Sequence, residues 1–198
     1  MGDTQKSTRL ASIRACLGLC TRCPLCEGRT SIVFGSGNPE AKLMLLGEAP
    51  GKHEDLRGEP FVGAAGKRLD ILLELADLSR EDIYITNVLK CRPPRNRNPK
   101  VSEIESCAPF LREQIRAISP KVIVTLGNFA TQFVLRCDEG ITHLRGKFYQ
   151  TGRFSVYPVY HPAACIYDRS KQPILEQDMK NLGSWLKERK IIERGNYV

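Results

Sequence analysis

Eight cysteines stand in this 198-residue sequence, and their spacing could support metal chemistry. Cys20, Cys23 and Cys26 form two overlapping CxxC pairs, while Cys91 and Cys107 follow far downstream. Four thiolates brought together from such positions can hold a zinc ion or an iron–sulfur cluster. The spacing therefore predicts a metal site and leaves both metals open.

A second segment that could do chemistry is GEAPG, residues 47–51, which directly follows an apolar run. Its glycines and proline permit a tight turn with exposed backbone N–H groups, and Glu48 places a carboxylate beside them. The segment is not a P-loop, because no Gly-Lys-Ser/Thr follows. It also lacks the third glycine and the immediate helix of a dinucleotide fingerprint. Taken alone, the pentapeptide is more typical of an ordinary turn after a strand.

His161 begins a third such segment, HPAA, in a chain that contains three histidines. A single histidine more often has a structural role than a catalytic one. His161, however, follows the last predicted strand and precedes a proline. An imidazole in that place could donate a hydrogen bond to a developing anion, so we treat His161 as a candidate catalytic residue.

The composition describes the setting in which these residues act. Lys+Arg 30 against Asp+Glu 22 gives a net charge of +8, which suits a polyanionic partner, although many other proteins are equally basic. The apolar runs are too short to span a bilayer, and the polar N-terminus does not resemble a secretory signal. We therefore expect a cytoplasmic protein without a membrane partner, whose cysteines serve metal or redox chemistry rather than disulfides.

Apolar runs and amphipathic stretches predict the elements that position these residues. We expect strands at 42–46, 83–89 and 121–126, and one or two strands within 147–160 that turn at 151–153. We expect helices near 7–19, 65–75, 102–118, 128–135 and 173–190, and a glycine-rich loop over 47–66. This alternation indicates an α/β fold with a mostly parallel sheet covered by helices on both faces.

Ligand sites in such sheets lie beyond the carboxyl ends of the strands. Residues 47–51 follow the first predicted strand, Asn87 lies at the end of the second, and His161 follows the last. The three polar segments are therefore expected to converge on one site.

Several motifs, taken in order, resemble the family 4 uracil-DNA glycosylases, the iron–sulfur branch of the uracil-DNA glycosylase superfamily. They are CTRCPL from residue 20, RT at 29–30, GEAPG at 47–51, ED at 54–55, GEPFVG at 58–63, AG at 65–66, YITNVLKCRPP at 84–94, KVIVTLG at 121–127 and YHPAA at 160–164. The resemblance implies a three-layer α/β sandwich with a central four-stranded parallel sheet flanked by helices, and a 4Fe–4S cluster. It also implies a DNA-repair enzyme that flips uracil out of DNA and hydrolyses its N-glycosidic bond, leaving an abasic site.

The same resemblance implies roles for individual residues. The cluster ligands would be Cys20, Cys23, Cys91 and Cys107, with Cys26 as an extra cysteine. The uracil-binding residues would be Gly47, Glu48, Ala49, Phe61, Asn87 and His161. The catalytic residues would be Glu48 and His161. Many relatives in the superfamily carry an Asp at the position of Ala49, so a simple Asp-activated-water scheme does not transfer to this chain.

Contacts with DNA are predicted from basic side chains near the site. The candidates are Arg92, Arg95, Arg97, Lys100 and Arg169, and for Arg95 and Arg97 a purely structural role is an equal alternative. The segment 164–169 is placed to probe the emptied base stack, with Cys165 or Ile166 as the wedge. We expect one domain over residues 1–198, a nucleoid-associated monomer, and uracil-containing DNA, single- or double-stranded, as partner. The sequence indicates nothing about a sliding clamp.

Three alternatives stay open at this point. The first is an iron–sulfur glycosylase of broader base range, acting also on hypoxanthine or on thymine opposite guanine, although Glu48 favours the uracil-restricted branch. The second is a zinc-dependent nucleic-acid-binding module without catalysis, which would be colourless where an iron–sulfur protein is brown. The third is a small redox carrier, which would leave GEAPG, Asn87 and HPAA without a function.

Overall fold

Six strands form one mixed sheet at the centre of the protein. The computed structural model describes residues 4–192. The strands are β1 (Ser36–Gly37), β2 (Leu43–Gly47), β3 (Ile83–Asn87), β4 (Val122–Leu126), β5 (Tyr149–Gln150) and β6 (Ser155–Val159). They lie in the order β1-β3-β2-β4-β6-β5.

The four central strands, β3, β2, β4 and β6, are parallel, as the sequence predicts. Each has five residues, all buried, because helices cover both faces of the sheet. The two edge strands, β1 and β5, have two residues each and pair antiparallel. The predicted four-stranded parallel sheet is therefore the core of a six-stranded mixed one. A two-residue strand is too short to give a periodic signal, so β1 was not predicted.

Nine α-helices surround the sheet within the described range. They are α1 (Gln5–Leu17), α2 (Leu25–Gly28), α3 (Lys52–Arg57), α4 (Ala64–Leu75), α5 (Val101–Ile118), α6 (Asn128–Leu135), α7 (Ile141–Leu144), α8 (Ala164–Tyr167) and α9 (Lys171–Glu188). None of these helices is long and apolar enough to cross a membrane.

Alternate residues of each strand pack against opposite helical layers. Leu43 and Leu45 of β2 join a core cluster that includes residues of α4, α7 and α9. Met44 and Leu46 join a second cluster with residues of α1, α5 and α6. Side chains of a strand point alternately to its two faces, so these two clusters are the two interfaces of a three-layer sandwich. The predicted fold class is confirmed.

The prediction of a loop over 47–66 is wrong in one respect, because helix α3 lies inside this range. This helix has the sequence KHEDLR, whose charged residues gave no apolar periodicity from which to predict it. Its two acidic residues, Glu54 and Asp55, are nevertheless buried. The prediction of one domain over 1–198 extends beyond the described residues at both ends and stays a prediction.

Candidate active site

The carboxyl ends of the central strands open into a cavity of about 570 Å³. Glu48 and Ala49 from GEAPG, Asn87 at the end of β3 and His161 after β6 all line it, together with Phe61. The predicted convergence of the three segments is therefore confirmed. Cavities of this size hold small molecules or single nucleobases rather than macromolecules.

Asn87, which lines this cavity, has an unsatisfied side-chain acceptor. The side chain is 2% exposed, and its Oδ1 accepts no hydrogen bond from any described residue. A buried polar atom without a partner costs about 1–3 kcal/mol, so such atoms are rare unless a ligand completes them. The backbone of Asn87 is held by Lys90 Nζ, which donates to its carbonyl oxygen at 2.7 Å and to Thr86 Oγ1 at 2.5 Å.

The absence of a side chain at Gly47 makes room for this arrangement. Gly47 pairs with Asn87 across β2 and β3. A Cβ built on Gly47 would lie 2.3 Å from Asn87 Oδ1 and 2.8 Å from Phe61 Cζ. A larger residue at this position would displace both side chains, so the absence of a side chain at Gly47 makes room for Asn87 and Phe61.

The loop that carries Phe61 is fixed by two buried or half-buried charges. Phe61 has φ +54°, which is unfavourable for a residue with a side chain. Arg80 Nη2 donates to the Phe61 carbonyl at 2.6 Å. The Glu54 carboxylate accepts from the backbone N–H groups of Val62 and Gly63 at 3.0 and 2.8 Å, just before α4 begins. These bonds stabilise a conformation that the backbone alone would disfavour.

The imidazole of His161 is neutral and has a defined tautomer. Ala163 N donates to His161 Nδ1 at 3.1 Å, and since a backbone N–H can act only as donor, Nδ1 must be the acceptor and Nε2 must carry the proton. Burial lowers the pKa of His161 to about 4, against the opposing effect of the nearby Glu54 carboxylate. The ring also stacks on Phe61, with centroids 5.7 Å apart. His161 is therefore an uncharged hydrogen-bond donor.

Glu48 lies half-buried on the same cavity wall. Burial raises the pKa of its carboxyl group to about 7. A carboxyl group with such a pKa, in a cavity beside a neutral histidine, is typical of a site that moves or polarises protons near neutral pH.

The four cysteines predicted as cluster ligands lie near one another. Cys23, Cys91 and Cys107 pack together around Leu25 and Leu89. Burial raises the pKa of the Cys91 thiol, and interaction with Cys23 and Cys20 adds to the rise. Burial also raises the pKa of Cys107 to about 11, and Cys91 and Cys23 add to it.

A hydrogen-bonded cation and a backbone amide face these sulfurs. Arg29 Nη1 donates to Cys91 Sγ at 3.3 Å and to the Cys20 carbonyl at 2.7 Å. The backbone N–H of Lys90 donates to Cys107 Sγ at 3.3 Å. Both contacts favour thiolates over thiols, which is the state that metal coordination requires.

The cysteines converge without forming a finished coordination site. Within residues 4–192, no group of three or more His, Cys, Asp or Glu side chains has the geometry to hold a metal ion. Cys26, the extra cysteine, is half-buried and interacts with Cys23. The donor set of four neighbouring soft sulfurs nevertheless fits zinc or an iron–sulfur cluster, because both prefer thiolate ligands.

Helix α3 connects the cavity to the cysteine region. While Glu54 holds the Phe61 loop, Asp55 Oδ1 accepts from the backbone N–H of Thr30 at 2.9 Å and of Ser31 at 3.3 Å. These residues directly follow Arg29, which contacts Cys91. Adjacent carboxylates on one short helix therefore hold both regions.

Some of the predicted DNA-binding residues bond within the protein, while others are exposed. Arg97 forms a two-pronged ion pair with the buried Glu103 carboxylate, at 2.9 and 2.5 Å, which orders the start of α5. Arg92 donates to Asn96 Oδ1 at 2.7 Å. Arg97 therefore has the structural role that the sequence left open for it, because it pairs with Glu103. The remaining candidates, Arg95, Lys100 and Arg169, are exposed.

The segment after His161 places its side chains differently from the wedge prediction. Cys165 is 2% exposed, so its role as a wedge is wrong, because its thiol packs in the core. Ile166 is 51% exposed and Tyr167 is 90% exposed. Tyr167 also lines the cavity. The exposed aromatic at the cavity mouth is therefore Tyr167.

Comparison with known proteins identifies the family to which this chain belongs. Residues 34–187 match the family model described as the uracil DNA glycosylase superfamily. The chain is 46% identical over 172 residues to the type-4 uracil-DNA glycosylase of Archaeoglobus fulgidus, which covers 83% of this chain and 86% of that protein. The chain belongs to the type-4 uracil-DNA glycosylases.

Other type-4 relatives show the same extent of similarity. The type-4 uracil-DNA glycosylase of Saccharolobus solfataricus is 43% identical, over 87% of this chain and 84% of that protein. The one of Thermotoga maritima is 42% identical, over 85% of this chain and 90% of that protein. The resemblance drawn from the ordered motifs is therefore confirmed.

Four residues that shape the site received no role from the sequence. Glu54, Arg29 and Lys90 lie inside the motifs that carry the family resemblance. Their positions in these motifs indicate that they matter, but not what each side chain contacts. Arg80 lies 19 residues from its partner Phe61, and nothing local to either residue indicates the contact.

The neutrality of His161 can be tested directly. We expect the ring of His161 to stay uncharged from pH 5 to pH 8, because burial lowers its pKa to about 4. The measurement is the ¹³Cε1 chemical shift of the histidines by NMR across this range, with the His161 signal assigned by its loss in His161→Gln. A titration of that signal with a midpoint near pH 6.5 would contradict the neutral tautomer.

Proposed function

We propose that this chain removes uracil from DNA by hydrolysis of the N-glycosidic bond, leaving an abasic site. The observation that carries the proposal is the unsatisfied Asn87 Oδ1, buried in a cavity beside a neutral His161 and the Glu48 carboxyl group. A uracil ring has an N–H donor that would satisfy this acceptor. Membership of the type-4 family supports the same reading.

Base recognition would follow from the amide of Asn87. Its Oδ1 would accept from uracil N3–H while its NH₂ group donates to O4. Cytosine carries an unprotonated N3 and an amino group at C4, so both contacts would be lost and a donor would face a donor. An unpaired buried polar group costs about 1–3 kcal/mol, which is sufficient for useful rejection when shape adds to it. A buried substrate base must first be flipped from the duplex, at a cost of about a few kcal/mol.

Cleavage would be driven by electrostatic stabilisation. As the bond from C1′ to N1 breaks, the electron pair moves to the base, and positive charge develops on the sugar. The His161 Nε2–H would donate to O2 of the developing uracil anion, where a fixed neutral donor lowers the barrier. In its ionised form, Glu48 would orient the water that bonds to C1′ and offset the positive charge, and the proton released by the water ends on this carboxylate or on solvent.

Phe61 and Tyr167 would contribute apolar surface. Phe61 is 5% exposed and already stacks on His161, so it would form the inner wall against which the base lies. Tyr167 is exposed at the cavity mouth, where it would contact the neighbouring bases of the strand. The exposed basic residues Arg95, Lys100 and Arg169 would contact phosphates, a contribution that weakens with salt.

We further propose that Cys20, Cys23, Cys91 and Cys107 hold a 4Fe–4S cluster. The proximity of these thiols and the hydrogen bonds from Arg29 and Lys90 to two of them support it. When bound, the cluster would supply a crosslink that ties the segment before α2 to α5 and to the loop after β3. Its role would be structural, since closing such long loops constrains the unfolded chain.

The activity has a specific pH signature. We expect the wild-type protein to cleave uracil from an oligonucleotide, with a single-turnover rate that rises through about pH 7 as Glu48 ionises. Below that pH the carboxyl is protonated and the rate falls. Glu48→Gln should lower the rate at least about tenfold and remove this inflection, while His161→Ala should lower it by about 10²–10³-fold.

The assay for this prediction is alkaline cleavage at the abasic site followed by gel electrophoresis. Far-ultraviolet circular dichroism of each variant controls for folding. Wild-type rates in both folded variants, or no strand break with the wild-type protein, would overturn the proposed function.

The cluster makes a separate prediction. The purified protein should be brown with broad visible absorption, and Arg29→Gln should lose this colour faster in a chelator, because loss of a contact to a ligand weakens metal affinity about 10–100-fold. Arg9→Gln is the control, since Arg9 is exposed and lies outside the segments that carry the four cysteines. A colourless protein that contains zinc would exclude the cluster.

A further inference from the structure

A second cavity lies at the amino ends of the central strands, opposite the candidate active site. It has a volume of about 360 Å³. Pro120, which precedes β4 by two residues, and Phe154, which directly precedes β6, are part of its lining. These are the amino ends of the strands, whereas the candidate active site lies at their carboxyl ends. The second cavity is therefore separate from the site described above.

Four arginines from three segments surround this cavity, and none of its lining residues is acidic. Arg112 and Arg116 come from α5, Arg136 follows α6 and Arg153 lies between β5 and β6. Arg116 pairs with Glu113. The other three form no ion pair with a carboxylate among residues 4–192. Three positive charges thus face a shared space without a counter-charge.

The ends of α5 and α6 do not account for these charges. Both helices end at this cavity, and a helix C-terminus carries about half a negative charge. Two such ends give about one negative charge against three uncompensated guanidinium groups. Backbone hydrogen bonds also cap each helix end: Ser119 N donates to Ile115 O, and Arg136 N donates to Gln132 O, at 2.8 Å each. Arg112, Arg136 and Arg153 are all exposed, so this excess of positive charge is accessible to an anionic ligand.

The rest of the lining is apolar and partly aromatic. Phe133 and Phe154 are both half-buried, and Ile115 and Val134 lie beside them. The guanidinium carbon of Arg112 stands 6.0 Å from the centroid of the Phe133 ring, which places a cation at the border of the apolar wall. The ligand that fits this lining combines a planar apolar ring with a compact group of more than one negative charge.

We propose that this cavity binds a free nucleoside monophosphate, with the base against Phe133 and Phe154 and the phosphate between Arg112, Arg136 and Arg153. Guanidinium groups bind phosphate through paired hydrogen bonds, and nucleobases stack on aromatic rings. A phosphate monoester carries about two charges on three acceptor oxygens, whereas a carboxylate carries one, so three arginines suit the phosphate better. This site is additional to the proposed uracil excision and does not depend on it.

The test is a calorimetric titration with deoxyadenosine monophosphate, a purine nucleotide that the uracil-sized recognition of Asn87 would not select. We expect saturable binding at one site. Arg112→Gln and Arg153→Gln should each weaken it at least tenfold, while Arg9→Gln, which removes an exposed charge outside both cavities, should leave it within twofold. Inorganic phosphate alone and deoxyadenosine alone should each bind at least tenfold more weakly than the nucleotide.

Several results would overturn this site. They are no saturable binding by the wild-type protein, equal weakening by Arg9→Gln, binding of phosphate as tight as that of the nucleotide, or saturation by an acidic peptide but not by the nucleotide. Uracil excision measured on the same variants should stay within twofold of wild type, which confirms that they are folded. If the wild-type protein excised no uracil, the titration would still decide the nucleotide site.

Discussion

The candidate active site depends on one steric constraint, the missing side chain at Gly47. Asn87 Oδ1 occupies the space that a Cβ would fill, at 2.3 Å from its ideal position, and the Phe61 ring approaches from another side. Because Gly47 and Asn87 are paired in the parallel ladder, this contact also fixes the amide relative to the sheet. The acceptor of Asn87, the ring of Phe61 and the imidazole of His161 are consequently held before any ligand arrives, which lowers the ordering cost of binding.

Two groups of hydrogen bonds link the candidate active site to the cysteine region. Glu54 and Asp55, adjacent on α3, fix the Phe61 loop and the segment that follows Arg29. Lys90 donates from its side chain to the Asn87 carbonyl and from its backbone to Cys107. A short series of hydrogen bonds therefore connects the cysteine region to Asn87.

Much of this architecture could be predicted from the sequence because the central strands are continuous apolar runs with polar residues at their carboxyl ends. Glu48, Asn87 and His161 were predicted to meet for that reason, and they do. Helix α3 could not be predicted, because its charged residues are buried by distant backbone donors rather than by a periodic apolar face. Cys165 illustrates the same limit, since its burial depends on α9 packing nearby. The arginines of the second cavity come from separate segments, and their convergence exists only in three dimensions.

We propose that the Asn87 amide reads the base, and the base preference of Asn87→Asp tests this role most directly. Single-turnover excision would be compared on matched oligonucleotides that carry uracil or cytosine at one position, with Asn181→Asp, an exposed change of the same chemistry, as control. We expect Asn87→Asp to lose uracil excision or to shift its preference towards cytosine, while the control keeps the wild-type pattern. Unchanged rate and selectivity in a folded Asn87→Asp protein would contradict it.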